Sequence, residues 1–289
     1  MPGGVEPSNL DKVFWPGSGL TKGDLLAYFD RAAPFILPAL RGRPLTVIRF
    51  PNGIGGPSFY QKDTPRYAPD WVRTIRLPSG GPKPEVRYTV CSSKRTLMWL
   101  ANQAAIELHP WLSTLDRLDR PTHLVLDIDP PEGDFDRAVR AALLTRDALE
   151  DVGLAGVVKT SGSKGVHVYV PVERRYDGET LTRAAQRLAD HVVRRAPDDV
   201  TTEFRKAGRA GRVFLDWTRI GAGKHIAVVY SPRARPGATV SFPVAWEDLA
   251  GARAERFTIR TVPELLTSGD PWADLSPPPQ RLPDRLVEP

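Results

Sequence analysis

The chain has one cysteine, Cys91, only five histidines and no long apolar run. A single thiol excludes an internal disulfide framework and fits a reducing compartment. Cys91 closes the stretch Val-Arg-Tyr-Thr-Val-Cys and reads as strand core rather than as a nucleophile. So few cysteines and histidines leave too few ligands at finger spacing for a structural zinc site. No stretch is apolar over the roughly 20 residues a membrane helix needs. The opening Met-Pro-Gly-Gly-Val-Glu-Pro-Ser lacks the cationic and apolar parts of an export signal. A soluble, intracellular protein with no membrane partner is expected. Acids are scarce in one region: from Thr201 to Arg235, Arg205, Lys206, Arg209, Arg212, Arg219, Lys224, Arg233 and Arg235 face only Glu203 and Asp216. That local excess equals the whole net charge of +6, so the rest of the chain is formally neutral and an anionic partner is expected.

With 289 residues, 41% of them hydrophobic, the chain has ample material for a core. Thr21 is a fair N-cap for a helix over residues 21 to 40 that Pro38 interrupts, and Leu45 to Phe50 reads as a strand. Residues 95 to 108 read as an amphipathic helix ending near His109, and helices are expected over 135 to 151 and 179 to 195. Strands are expected over 156 to 160, 166 to 170, 213 to 216 and 226 to 230. Hairpin turns among helices argue for an α+β fold with mixed, mainly antiparallel sheets rather than a doubly wound one. The glycine-rich loop from Asn52 to Ser58 matches no phosphate-binding fingerprint and reads as a plain turn. No internal repeat is present. The segment 276 to 289, with Pro277-Pro278-Pro279, reads as a poorly ordered tail behind a single domain over 1 to 275.

Chemistry concentrates in three places. Leu124-Val125-Leu126-Asp127-Ile128-Asp129-Pro130-Pro131 is an apolar strand that brings two aspartates to one face and then stops, because proline cannot continue the ladder. Paired carboxylates repel unless protons or cations intervene, and hard oxygen ligands suit Mg²⁺ or Mn²⁺. The turn Ser161-Gly162-Ser163-Lys164-Gly165 gathers hydroxyls, an ammonium and small residues with exposed backbone N–H groups, which is the make-up of an anion site; His167, on the return strand, reaches the same side. Asp216 ends a further apolar strand, Val213 to Leu215. Three acids on strand ends, a phosphate turn and a cationic segment are the parts of two-metal nucleotidyl transfer.

These three motifs resemble those of the archaeo-eukaryotic primase superfamily, and most closely the polymerase domain of bacterial ligase D. The likeness extends to Asn9 through Pro16, Thr21-Lys22, Phe59-Tyr60-Gln61-Lys62, Glu107-Leu108-His109-Pro110-Trp111 and Tyr230 through Arg235. The resemblance implies a primase-polymerase-like fold with sheets flanked by helices around a central cleft. It implies two Mn²⁺ or Mg²⁺ ions on Asp127, Asp129 and Asp216, with His109, Ser161, Lys164, His167 and Arg233 on the nucleotide. Asn9, Lys12 and Lys22 match a pocket for the 5′-phosphate of a DNA gap, and Phe59 and Tyr60 match a pair that stacks on template bases. The implied activity is gap filling or end extension in double-strand break or excision repair, with ribonucleoside triphosphates preferred. The implied partners are gapped or broken DNA, nucleoside triphosphates, a separate DNA ligase and a Ku-like end-binding protein, in the nucleoid of a bacterial cytoplasm. Taken as a complete protein, the chain resembles the stand-alone primase-polymerases of actinobacteria, which implies excision-repair gap filling as readily as end joining. The family pattern has Asn where this chain has Ile220 and Pro where it has Val229. Arg219 and Lys224 read as no more than neighbours of phosphate. Two rival classes use fewer of these residues: a glycosyltransferase needs only the Asp-x-Asp pair, and an idle DNA-end binder needs only the basic surface.

Overall fold

The fold is described from a computed structural model, which covers residues 6–81, 83–132 and 134–288. The first five residues, on which the expectation of no export signal rests in part, lie outside this range. In chain order the elements are β1 (Val13–Trp15), β2 (Leu20–Thr21), α1 (Lys22–Leu40), β3 (Pro44–Arg49), β4 (Phe59–Gln61), β5 (Thr74–Pro78), β6 (Glu85–Val90), α2 (Lys94–Asn102) and β7 (Ala105–Pro110). There follow β8 (His123–Asp129), α3 (Phe135–Asp151), β9 (Val157–Thr160), β10 (Val166–Pro171), α4 (Gly178–Arg195), β11 (Val200–Thr201), β12 (Val213–Asp216), β13 (Pro243–Val244) and three short helices, α5 (Val262–Leu265), α6 (Pro271–Leu275) and α7 (Asp284–Val287). The elements form an α+β fold of mainly antiparallel sheets and helices, and two compact units divide the chain.

The first unit comprises residues 1–116, 225–241 and 255–270. Its sheet runs β4-β3-β6-β5, with β7 paired along β3 so that His109 lies opposite Thr46. Helix α1 starts on the expected cap: the Thr21 hydroxyl accepts from the Asp24 N–H, and the Asp24 carboxylate accepts from the Thr21 N–H. It runs through Pro34 and Pro38 rather than breaking at Pro38, because its buried stripe, Leu25, Phe29, Ala32, Ala33, Ile36 and Leu40, is held along the whole length. Two further expectations fail here. The helix expected over 95 to 108 ends at Asn102; Ala104 takes a left-handed conformation, φ 62°, and the chain turns into β7. Ala105-Ile106-Glu107-Leu108 satisfies helical and strand periodicities alike, so only the turn separates them. Residues 226 to 230 form no strand: single bonds from the Val228 N–H to Leu108 and from the Tyr230 N–H to Ser241 replace a ladder, and Tyr230 is left-handed, φ 63°. Cys91 is buried just past the end of β6, and burial pushes its thiol up to about 12.

The second unit comprises residues 117–224, 242–254 and 271–289. Its sheet runs β11-β12-β8-β10-β9-β13, antiparallel except where β11 meets β12. Period-2 alternation gives it two unlike faces. On one, Leu124, Leu126 and Ile128 lie opposite Val170, Val168 and Val166, all buried, and α3 and α4 supply matching apolar stripes. On the other, Val125, Asp127 and Asp129 alternate with them. Gly165 is required where β10 begins, since a Cβ there would overlap the Ile128 carbonyl oxygen. The proline-rich segment, expected to be poorly ordered, is packed: Gln280 bridges to Val172, its side chain bonds both polar groups of the Ala155 backbone, and Leu282 is buried. Prolines lower the entropy of an extended strap, and Gln280, the Leu282 N–H bond to the Tyr176 hydroxyl and the buried Leu286 help to seat it.

Candidate active site

Antiparallel register places the charged residues of the second unit in a row across the polar face of its sheet. Asp216 on β12 lies directly opposite Asp127 on β8, Asp127 opposite His167 on β10, and His167 opposite Lys159 on β9. Directly opposed residues hold their Cβ atoms about 5 Å apart, so one row collects groups from four strands. Asp129 follows Asp127 on the same face, at the strand end fixed by Pro130. The three acids read from the sequence are therefore brought together.

The row is buried: Asp127 is 9% exposed, Asp216 4%, His167 3% and Lys159 0%. Burial, with the like charges of Asp127 and Asp216 beside it, pushes the Asp129 carboxyl up to about 6. Arg219, and more weakly Arg209, moderate this field. The Arg219 Nε stands 3.2 Å from Asp127 Oδ2 and 3.0 Å from Asp216 Oδ2, bridging the two acids. Asp216 Oδ1 accepts from the Thr218 N–H and hydroxyl, which fixes the orientation of the carboxylate. Among the described residues no group of three His, Cys, Asp or Glu side chains stands so that it could hold a metal ion without rearrangement. The donor set nonetheless fits hard divalent cations, being oxygen-only, closely spaced and short of positive charge. Arg219, read from sequence as a mere neighbour of phosphate, in fact touches two of the acids.

The anion turn departs from its expected form. The Ser161 hydroxyl accepts from the N–H groups of Ser163 and Gly165, each at 3.1 Å, so these donors hold the turn rather than face outward. Gly162 has the left-handed φ of 67° that the turn requires. The Lys164 ammonium is half exposed, 3.5 Å from the Glu132 carboxylate. His167 Nδ1 lies 2.7 Å from the Lys159 ammonium, which can only donate, so Nδ1 accepts and Nε2 carries the proton, 3.3 Å from Asp127 Oδ1. Sequence reasoning missed Lys159; its place directly across from His167 in a hairpin was the available signal.

The remaining expected residues belong to the first unit. Lys12 and Lys22 share a backbone bond, Lys22 N–H to Lys12 C=O at 2.8 Å, and Lys12 in turn bonds Asn9 C=O through its N–H. Burial and the charges of Lys12 and Arg49 lower the pKa of Lys22. Cations gathered against their own repulsion favour an anion. Lys12 Nζ donates to Asn52 Oδ1 and Lys22 Nζ to the Ser8 carbonyl, while Asn9 is left-handed at φ 52°. Phe59 and Tyr60, on edge strand β4, are 45% and 62% exposed, which fits a stacking surface and not a core. The Tyr60 ring lies 6.5 Å from His109 and 6.2 Å from His225, and the two histidines are 5.6 Å apart. His109 sits on a strand and not at a helix end; its Nε2 is 3.0 Å from Glu107 Oε2, and Arg233 Nε is 3.1 Å from the same oxygen. Burial would raise the Glu107 carboxyl, but the bond from His109 and the charge of Arg233 hold it down to about 2.

The family model described as LigD, primase-polymerase domain, matches residues 21–272. The chain is similar to the multifunctional non-homologous end joining protein LigD of Pseudomonas aeruginosa, 33% identical over 96% of this chain and 34% of that protein. It is similar to the bifunctional non-homologous end joining protein LigD of Bacillus subtilis, 33% identical over 94% of this chain and 44% of that one. It thus spans between a third and a half of these relatives. Among solved structures it resembles the polymerase domain of Mycobacterium tuberculosis ligase D in complex with DNA, with a TM-score of 0.86 and 32% identity over 94% of this chain and 97% of that one.

Proposed function

The chain belongs to the LigD primase-polymerase domain family, and from that premise we propose that it is a template-directed nucleotidyltransferase that fills short gaps or extends broken ends in DNA repair. The observation that carries the reading is the row of Asp216, Asp127 and His167 across three neighbouring strands, with Asp129 beside it. A glycosyltransferase would need only Asp127 and Asp129, and an idle end binder none of the three.

Asp127, Asp129 and Asp216 would hold two divalent ions, Mn²⁺ or Mg²⁺, which supply charge neutralisation at the triphosphate and acidify the attacking 3′-hydroxyl. The protein's own part is positional. Thr218 holds Asp216 in orientation, and the tight passage at Gly165 sets β10 against β8. Ser161, Lys164 and His167 meet the triphosphate, His167 donating from Nε2, whose proton Lys159 fixes. By likeness to the family, His109 and Arg233 are assigned to the nucleotide, Phe59 and Tyr60 to template bases, and Asn9, Lys12 and Lys22 to the 5′-phosphate beyond the gap. The remaining assignments follow the family: ribonucleoside triphosphates preferred, a separate ligase to seal, and a Ku-like partner at ends. Among the described residues no helix is long and apolar enough to cross a membrane.

The test is extension of a labelled primer across a short gap bearing a 5′-phosphate, with Mn²⁺ and either ribo- or deoxyribonucleoside triphosphates. A ladder of products, denser with ribonucleotides, is expected. No product with either substrate would refute the reading.

A further inference from the structure

One side of β7 is completed by the segment 228–234 and not by a strand. The Val228 N–H donates to Leu108 C=O at 3.0 Å, the Leu108 N–H to the Ser231 hydroxyl at 2.9 Å, and the Ala234 N–H to Glu107 Oε1 at 3.0 Å. Glu107 Oε2 then accepts from the His109 Nε2, two residues along the same strand face, and stands 3.1 Å from the Arg233 Nε as an ion pair without hydrogen-bond alignment. Both carboxylate oxygens are thus occupied, in a residue 7% exposed. We propose that Glu107 is the positioning residue for the nucleotide contacts of the first unit: one carboxylate that fixes the His109 proton on Nε2 and holds the Arg233 guanidinium beside it by charge. The inference rests on the reading that His109 and Arg233 meet the nucleotide.

A purely structural role is the alternative to exclude. Buried ion pairs are often neutral for stability compared with apolar residues of the same size, so stability alone explains this one poorly. Its geometry is specific instead. The carboxylate joins a histidine on a strand to an arginine far along the chain, on a segment whose short pairing, Ser241 N–H to Ser231 C=O and Arg233 N–H to Thr239 C=O, holds the backbone but not the guanidinium. Because Glu107 is an acceptor at Oε2, His109 Nε2 must be the donor, and the opposite tautomer is excluded while the contact holds.

Two measurements on the full chain test this. Nitrogen-15 NMR of the wild-type protein should show His109 protonated at Nε2; a proton confined to Nδ1 would overturn the proposal without any mutation. Glu107→Gln should raise the KM for nucleoside triphosphate by about tenfold, the scale of one lost charged hydrogen bond, with kcat changed less and DNA affinity in a gel shift unchanged. Glu107→Asp, which keeps the charge, should recover part of the loss. In an Arg233→Ala background the same Glu107→Gln change should cost much less than it does alone. An unchanged KM, or fully additive losses, would refute the positioning role. A wild-type protein that bound no nucleotide would defeat the functional reading itself, whereas tight wild-type binding with an indifferent Glu107→Gln defeats only this inference.

Discussion

Two buried carboxylate centres, one in each unit, are built to opposite electrostatic ends. Glu107 is surrounded by donors, His109, Arg233 and the Ala234 N–H, and is held down to about 2. Asp129 is surrounded by carboxylates, with Arg219 the nearest guanidinium, and is pushed up to about 6. The first centre is complete as it stands and holds other groups in place. The second is short of positive charge, the condition under which a fold accepts cations from solution. Opposite neighbours thus give the two carboxylates opposite shifts, the basis for proposing a positioning role for Glu107 and a cation-binding one for Asp129.

The largest effect should come from the second centre. Asp127→Asn or Asp216→Asn should lower primer extension by at least about 1,000-fold, as loss of a metal ligand does, while a gel shift reports unchanged DNA binding. Retained extension would erase the contrast between the centres. Next, Lys12→Ala combined with Lys22→Ala should cut the preference for a 5′-phosphorylated gap over a hydroxylated one by about 10- to 100-fold, the range of lost charge-assisted bonds. Competition between the two duplexes measures it, and an intact preference would move the phosphate pocket elsewhere.

Much of this was legible in the sequence, for identifiable reasons. Asp127, Asp129 and Asp216 were readable because strand alternation and a proline stop are local rules, and their neighbours obey them. Glu107 and Arg219 were not readable as partners. The role of Glu107 depends on Arg233, which lies far along the chain on a segment outside the named strands, and that of Arg219 on the β8–β12 register. The strand character of β7 was hidden because the deciding event is a left-handed turn at Ala104, a residue with no preference for it. The packed proline-rich strap was hidden for the opposite reason: composition argued for disorder, while Gln280, Leu282, Arg285 and Leu286 make long-range contacts that seat it.

Smaller effects sharpen the comparison. Arg219→Gln removes the guanidinium that bridges Asp127 and Asp216, so calorimetric titration should show Mn²⁺ binding several-fold tighter; weaker binding would mean that the arginine assists the metals rather than standing in for them. The pH dependence of stability should differ in sign. Glu107, below its ordinary value, stabilises the fold above about pH 4.5, and that contribution disappears as pH falls toward about 2. Asp129, above its ordinary value of 3.8, is harmless in acid and destabilises increasingly as pH rises from 3.8 to about 6, above which the full cost persists unchanged. Asp129→Asn should therefore raise the Tm of the metal-free protein by a few degrees near about pH 8 and leave it unchanged near about pH 4. A loss of Tm at the higher pH would contradict the electrostatic account.

The most direct measurement is Mn²⁺ binding followed by electron paramagnetic resonance in the presence of a nucleoside triphosphate, for the wild-type chain and for Asp127→Asn. The account predicts protein-dependent Mn²⁺ binding that the substitution removes. Equal binding by both proteins, or none beyond that of the nucleotide alone, would contradict it.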